Sequence, residues 1–275
     1  MGCCTTCNAC CRFATGHRAD PCLPARYITH DCARGRGGAD CGAHRPHYAV
    51  VIGIDAYTHL GELDTAVTDA MAVTQILEAQ YGFDAIFLPD ATRANILQIL
   101  DNLRAILTPQ DSLLIYYAGR GIVDEDKRGY WLPQDASPDS RSGWLATSEI
   151  TEHLKAMAAR HVMVIADSCY SVTQDRNGAD DSSAAGERRQ ANLYSRTVIA
   201  SGSLEPVVDS DRGQLSVFAE AFLTTLYTNR EVLKGRQLFA NMQSWLDASS
   251  FSTPVYADLR QAKYQSGDFW FVPRR

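Results

Sequence analysis

The chain has 275 residues, of which 45% are hydrophobic and 21% are charged, and its formal net charge is −6. This length and apolar content allow one large core or two small ones. The basic residues are scattered and form no stripe with aromatic side chains, which argues against a nucleic-acid partner. The apolar runs are too short to span a membrane, and the first 30 residues lack the apolar segment of a signal peptide, so a soluble cytoplasmic protein is expected.

The amino-terminal segment stands apart because eight of the nine cysteines lie in the first 41 residues. We expect residues 1–45 to be a poorly ordered leader and residues 46–275 to form the folded domain. The start MGCCTTC also fits a myristoylation site at Gly2. The spacing of Cys4, Cys7 and Cys10 would alternatively suit zinc. The sequence leaves these alternatives open.

From residue 47 onward, strand-like apolar runs alternate with segments of helical periodicity. Gly82 is expected to end the first helix, Thr92 to cap the second, and Thr147 or Ser148 to cap the third. A small hairpin is expected near GYWLPQDA. Such alternation predicts an α/β fold with a mostly parallel sheet between helices. The expected strands, in chain order, are YAVVIGID, FDAIFLPD, DSLLIYYAG, HVMVIADS, RTVIASG and a short PVYAD, and the segment GDFWFV closes the domain.

One connection is unusually long for a compact domain. Residues 173–194 have no apolar periodicity and are rich in Asp, Ser, Gly and Arg, so we expect a disordered or cleavable linker. Its arginines, and Arg196 just beyond it, are candidate processing sites.

Active sites of parallel α/β sheets form at the carboxyl ends of the strands, which directs attention to Asp167, Ser168 and Cys169. An isolated Cys is often a buried, inert residue. Cys169, however, follows a buried strand and is the only cysteine after position 41. In caspases the catalytic His lies ~50 residues upstream of the Cys. Counting 49 residues back from Cys169 reaches Arg120, at the tip of the third strand.

Several motifs together resemble those of bacterial caspase-like cysteine peptidases of the metacaspase and paracaspase group. They are YAVVIGIDAY, LLIYYAGRG, GYWLPQDA, HVMVIADSCYS, ASGSLEPVVD and GDFWFVP, and they cover about residues 47–274. The resemblance implies a caspase-like three-layer α/β/α sandwich with about six strands. It also implies a large-subunit-like part (46–172) and a small-subunit-like part (195–275), joined by the linker.

The resemblance further implies roles for individual residues. Cys169 would be the nucleophile, and the backbone N–H groups of Cys169 and Gly121 would form the oxyanion hole. Asp167 and Glu205 would line an acidic S1 pocket, because the metacaspase branch cleaves after Arg or Lys. The alternatives are a strand-end turn residue for Asp167 and a surface-loop residue for Glu205. The expected partner is therefore a peptide or protein with a basic P1 residue.

Arg120 departs from the family pattern, in which the third strand ends Gly-His-Gly. A guanidinium can lower the pKa of a nearby thiol, but it keeps its proton and cannot protonate a leaving amine. Among the histidines, only His59 follows a strand on the correct edge; His153 is expected on a solvated helix face, and His161 at the far end of the fourth strand. We therefore expect a cysteine endopeptidase with impaired activity or, alternatively, a pseudoprotease that binds peptides or acts as a scaffold.

Cofactor requirements are not indicated by any strong motif. The acidic residues 124–126 and 180–181 could bind Ca²⁺, on which several metacaspases depend, but they lack the ligand spacing of an EF-hand loop. We therefore expect no cofactor and treat these residues as solvated loop charges, with Ca²⁺ as the alternative. The oligomeric state is not indicated.

Overall fold

A computed structural model describes residues 47–170, 192–204, 206, 215–246 and 254–274, and within them strands and helices alternate as the sequence predicts. The strands are, in chain order, β1 (His47–Gly53), β2 (Asp84–Pro89), β3 (Ser112–Ala118), β4 (Gly121–Val123), β5 (Gly129–Trp131), β6 (Leu145–Ala146), β7 (His161–Asp167), β8 (Ser195–Ala200), β9 (Leu233–Lys234), β10 (Val255–Asp258) and β11 (Trp270–Phe271). The helices are α1 (Ala66–Tyr81), α2 (Arg93–Ile106), α3 (Thr147–Ala156), α4 (Val217–Thr228) and α5 (Gly235–Leu246).

The central sheet has six strands in the order β10-β8-β7-β3-β1-β2. Only β10 runs antiparallel, at one edge, against β8. Every residue of β3 and β7 is buried, as expected for central strands of a parallel sheet that is covered on both faces. The expected mostly parallel, six-stranded sheet is therefore confirmed.

Helices cover both faces of this sheet. On one face Ile96 of α2 and Ile150 of α3 pack in a core with alternate residues of the central strands. On the other face α1, α4 and α5 pack in a second core, which includes Leu77, Phe222 and Leu238. Because successive strand residues point to opposite faces, the all-apolar strands supply both cores. The three-layer α/β/α sandwich is confirmed.

The helix ends show which of the predicted capping residues are correct. Gly82 ends α1 in the left-handed conformation (φ 70°), and Thr92 forms a capping box with Asn95 at the start of α2, both as predicted. The predicted cap of α3 is wrong, because the helix already includes Thr147, and the preceding Ala146 has no side-chain oxygen to offer. Thr147 instead donates its hydroxyl to the carbonyl of Gly129.

The expected hairpin is present and larger than predicted. Strands β4, β5 and β6 form a separate three-stranded antiparallel sheet, which begins directly after the tip of β3. Its first residue is Gly121, so the hairpin connects one candidate site residue to the rest of the fold.

Arg196, a candidate processing site, lies in β8 and is fully buried. Burial lowers the pKa of its guanidinium to about 10. Because a peptidase cannot reach a fully buried strand residue, the structure contradicts processing at Arg196. The guanidinium hydrogen-bonds the backbone carbonyls of Leu154, Met157, Ala159 and Arg160.

The residues from His44 to Arg275 group as one unit by their mutual contacts. The leader 1–45 and residues 173–191 of the linker lie outside the described residues. The expectations about order, lipidation, zinc binding and cleavage in these two segments stay predictions.

Candidate active site

The carboxyl ends of four parallel strands lie side by side. Gly53 of β1 pairs with Ala118 of β3, Ala118 pairs with Asp167 of β7, and the neighbouring Ala166 pairs with Ala200 of β8. Arg120 and Cys169 each follow their strand by two residues. The fold therefore brings these predicted site residues, with Gly121, to one edge of the sheet.

Cys169 is almost fully buried, and its thiol faces backbone carbonyls. Sγ lies 3.4 Å from the carbonyl oxygen of Ile122 and 3.6 Å from that of Tyr130, so the S–H can donate to either. The indole N–H of Trp131 donates to the carbonyl of Cys169 itself at 3.2 Å. Burial raises the pKa of the Cys169 thiol. The sulfur is consequently protonated at neutral pH.

Gly121 packs its backbone against this thiol. A Cβ added at position 121 would clash with Oγ of Ser168 and would lie 2.7 Å from Sγ of Cys169. No residue but glycine fits there without a shift of its neighbours. The Gly121 N–H, the predicted oxyanion-hole donor, donates to the carbonyl oxygen of Leu204 at 2.5 Å.

The guanidinium of Arg120 is bonded to the loop after β1. Its Nε donates to the carbonyl of Gly61 at 3.1 Å, and its Nη2 donates to that of Glu62 at 3.3 Å. The same group lies over the ring of Tyr57, 5.8 Å from the centroid. The expectation that Arg120 could lower the pKa of Cys169 is not met, because burial dominates and that pKa is raised.

The backbone of Arg120 is held independently of its side chain. Its N–H donates to the hydroxyl of Tyr57 at 2.7 Å. Its carbonyl accepts from the hydroxyl of Tyr117 at 2.8 Å and from the N–H of Leu132 at 2.9 Å. Both peptide groups at position 120 are thus fixed by buried or half-buried partners.

Asp167 is fully buried at the end of β7, next to Ser168 and Cys169. The hydroxyl of Ser216 donates to its Oδ2 at 2.6 Å. Burial raises the pKa of Asp167 to about 6, although hydrogen bonds from Ser216 and Ser201 oppose the shift. With this pKa the carboxylate form prevails at neutral pH, and the protonated form prevails below pH 6.

A second buried carboxyl group, which the sequence reading missed, stands on the other side of Ser216. Oδ1 of Asp69 accepts the N–H of Ser216 at 3.0 Å. Burial raises the pKa of Asp69 to about 7, and the nearby charge of Asp167 adds to the shift. Asp69 lies three residues after Ala66 and four before Val73, on the buried stripe of α1. An acidic residue on an apolar helix stripe was the available signal.

One of the two carboxyl groups and a neighbouring tyrosine have unused hydrogen-bonding capacity. Among the described residues, Oδ2 of Asp69 and the hydroxyl of Tyr116 are buried and have no hydrogen-bond partner. The charges of Asp69 and Asp167 both raise the pKa of Tyr116, which places its hydroxyl in the same electrostatic environment. Buried polar atoms normally find partners, so this arrangement is suited to receive a donor group.

The family model of Peptidase C14, described as the caspase domain, matches residues 46–265. The chain belongs to this caspase family. A solved structure, that of protein GSU0716 from Geobacter sulfurreducens, superposes with a TM-score of 0.56 at 18% identity and covers 80% of this chain and 97% of that one. At that identity the likeness concerns the fold alone. No curated protein matched the chain.

Other predicted residues of this caspase-domain chain lie away from the thiol or outside the described part. Glu205, the second predicted S1 residue, is not among the described residues. His59 is exposed in the loop after β1, and no hydrogen bond joins it to Cys169. His161 pairs with Ser112 at the amino ends of the strands, as expected. The expected solvated position of His153 is wrong, because its side chain is only 19% exposed and its buried Nδ1 lies 3.6 Å from Oδ1 of Asp101.

Within the described residues, the caspase domain has neither a metal-ligand cluster nor a membrane-spanning helix. No three His, Cys, Asp or Glu side chains converge there in a way that could hold a metal ion. In the same residues, no helix combines the length and apolar character needed to cross a bilayer.

Asp124, one of the predicted solvated loop charges, accepts hydrogen bonds from the N–H of Arg128 and the hydroxyl of Tyr130 within the β4–β5 hairpin.

Proposed function

We propose that this caspase-domain chain binds peptide segments through a basic P1 side chain and keeps Cys169 as its nucleophile, but hydrolyses amide bonds only weakly. The observation that carries the proposal is the environment of Cys169. The thiol is buried with a raised pKa, and the guanidinium at position 120 is bonded to the carbonyls of Gly61 and Glu62.

The specificity rests on the two carboxyl groups around Ser216. A substrate guanidinium has five N–H donors and pairs well with carboxylates. Oδ2 of Asp69 and the hydroxyl of Tyr116 are buried without a partner, and Asp167 lies directly before Ser168 and Cys169. A cation placed between these groups would lower both raised carboxyl pKa values and convert the pair to its charged form.

The weak hydrolysis follows from proton transfer. Attack by Sγ on a peptide carbonyl requires loss of the thiol proton, and collapse of the tetrahedral intermediate requires a proton on the leaving nitrogen. Arginine cannot exchange its proton near neutral pH. Loss of one proton-transfer group typically lowers the rate by ~10²–10⁴. We therefore expect acylation by peptides to be slow and binding to be retained.

The second candidate function is that of a pseudoprotease, a peptide-binding or scaffold module with no turnover. The hydrogen bond of Gly121 favours this scaffold function, because the N–H of Gly121, the predicted oxyanion-hole donor, already donates to the carbonyl of Leu204. The two candidates differ in one respect that can be measured, namely whether any hydrolysis depends on Cys169.

The test is the release of a fluorogenic leaving group from peptides with Arg, Lys or the neutral isostere citrulline at P1. We expect little turnover by the chain itself and at least ~10²-fold faster turnover by Arg120→His, with a preference for Arg and Lys over citrulline. The added activity must disappear in the double variant with Cys169→Ala. Equal turnover by the chain and its Arg120→His variant would contradict the proposed role of position 120. Binding without any Cys169-dependent turnover in either protein would favour the scaffold function.

A further inference from the structure

The segment 201–204 makes a contact with the thiol site that neither the family nor the sequence motifs explain. β8 ends at Ala200, and the chain then turns so that the carbonyl oxygen of Leu204 meets the N–H of Gly121 at 2.5 Å. Gly121 is the residue whose backbone packs against Sγ of Cys169. A carbonyl oxygen thus already occupies the place that the carbonyl of a bound peptide would need.

The turn that delivers this carbonyl is small. The N–H of Ser201 donates to the carbonyl of Ala166, and the hydroxyls of Ser201 and Ser203 lie 2.8 Å apart. Gly202 adopts a left-handed conformation with φ of 80°, which side-chain-bearing residues rarely accept. Leu204 leaves 53% of its surface exposed, so little apolar burial holds the segment in place. The left-handed Gly202 and the hydroxyl pair are therefore two points at which the position of the turn can be changed by mutation.

The same turn contacts the carboxylate of the S1 region. The side chain of Ser201 hydrogen-bonds Asp167 and also Ser203. A basic group that pairs with Asp167 competes for the Ser201 hydroxyl. The geometry therefore connects occupancy of the carboxylate pair with the hydrogen bonds that hold the turn.

We propose that the segment 201–204 is an autoinhibitory latch, in which the Leu204 carbonyl blocks the Gly121 N–H until a bound peptide displaces it. The inference rests on the proposed function, because the displacing ligand is the peptide that the site recognises. Only the described residues 201–204 form the latch. Opening exchanges one hydrogen bond for another at the same donor and requires no change in the sheet.

The first experiment follows hydrogen exchange of the Gly121 amide by NMR in the full chain labelled with ¹⁵N-glycine. Gly202→Ala introduces a Cβ at a left-handed position and so displaces the turn. Gly82→Ala is the control for backbone strain, because Gly82 has a similar φ of 70° at the end of α1, where the flexible side chain of Arg274 must move away from the added Cβ. We expect Gly121 to exchange at least ~10-fold faster in Gly202→Ala and at the unchanged rate in Gly82→Ala. Equal exchange in all three proteins overturns the latch.

A milder pair of variants applies if Gly202→Ala does not fold. Ser203→Ala removes the hydroxyl pair between Ser201 and Ser203 without backbone strain. Ser142→Ala removes a similar pair, Ser140 with Ser142 at 2.9 Å, on a distant turn. Faster exchange of Gly121 in Ser203→Ala alone supports the latch, and no difference between the two variants overturns it.

The second experiment measures the binding of peptide aldehydes that end in arginine or in norleucine. The aldehyde carbon forms a bond with Sγ of Cys169, and the thiol proton moves to the former carbonyl oxygen, which needs the oxyanion donors. If the latch blocks the donor, both aldehydes bind at least ~10-fold more tightly to Gly202→Ala than to the chain itself. Unchanged affinity for both, even with faster exchange of Gly121, overturns the latch. A gain for both without preference for arginine supports the latch and contradicts the proposed basic specificity.

Discussion

The candidate site at the strand ends has two sides. The thiol side consists of Cys169, Gly121 and Arg120. The carboxylate side consists of Asp69, Asp167 and Ser216. On the thiol side each polar group is already bonded within the protein: the thiol faces carbonyls, Gly121 meets Leu204, and the guanidinium of Arg120 meets the 61–62 loop. On the carboxylate side a buried oxygen of Asp69 has no hydrogen-bond partner among the described residues. Under the proposed function, recognition and chemistry are therefore separable, because the carboxylate side would bind a cation while the groups of the thiol side are bonded to other parts of the protein.

The largest expected effect is on the thiol side, from Gly121→Ala. The added Cβ would clash with Ser168 and lie 2.7 Å from Sγ of Cys169. We expect the free energy of unfolding to fall by about 1–3 kcal/mol, as for other overpacked sites, in urea titrations followed by circular dichroism. Gly61→Ala is the matched control, since the nearest atom to its Cβ is Nη2 of Arg120 at 3.5 Å. Equal loss in both variants would contradict the close packing of Gly121 on the thiol.

The next effect concerns the carboxylate side and the dependence of stability on pH. The folded pKa of Asp69, about 7, lies above the unfolded value near 3.8, so the folded state holds the proton more tightly. This contribution to stability is complete below pH ~4 and is lost as the pH rises to ~7. Asp69→Asn cannot ionise, so its free energy of unfolding should exceed that of the chain by ~2 kcal/mol more at pH 6 than at pH 4.

Urea titrations at the two pH values measure this difference. Asp126→Asn provides the comparison, because the exposed ion pair of Asp126 with Arg128, which spans 3.4 Å, contributes little to stability. A difference between Asp69→Asn and the chain that stays constant with pH would show that folding does not raise the pKa of Asp69.

A smaller effect is expected on ligand binding at the same carboxyl groups. An arginine side chain binds best to charged carboxylates, and the pKa values of Asp167 and Asp69 are about 6 and about 7. The affinity for an arginine-ended peptide aldehyde should therefore increase by about tenfold from pH 5.5 to 7.5, relative to a citrulline-ended one. Competition binding at both pH values tests this. If the ratio of the affinities for the arginine-ended and citrulline-ended aldehydes does not change with pH, the carboxylate side does not bind the arginine side chain.

The smallest effect is expected for the electrostatic influence of Arg120 on the thiol. Because its guanidinium is bonded to the 61–62 loop, Arg120→Gln should leave the pKa of Cys169 unchanged. The rate of alkylation of Cys169 by iodoacetamide, followed against pH by peptide mass spectrometry, measures that pKa without interference from the leader cysteines. An increase of about one pKa unit in Arg120→Gln would mean that the arginine does stabilise the thiolate.

The sequence was sufficient to predict the sheet, the layers and the position of Cys169, because buried parallel strands are continuous apolar runs and turns are marked by Gly82 and Thr92. The sequence was not sufficient to identify Asp69 as a buried site residue. Helical periodicity is judged from the apolar residues of a helix face, so an acidic residue on that face is not counted. The orientation of Arg120 and the contact of Leu204 were also out of reach. Both depend on backbone carbonyls, which every residue carries and no motif distinguishes.

The hydrogen bonds that hold both peptide groups of Arg120 have a consequence for the history of the site. Tyr57, Tyr117 and Leu132 support the backbone there whatever side chain position 120 carries. Some arginine codons differ from histidine codons by a single base, so one mutation exchanges the two residues on a strand end that does not have to be rebuilt. Under the proposed function, a lineage with this scaffold can therefore lose its proton-transfer group, and recover it, without a change in the backbone that carries position 120.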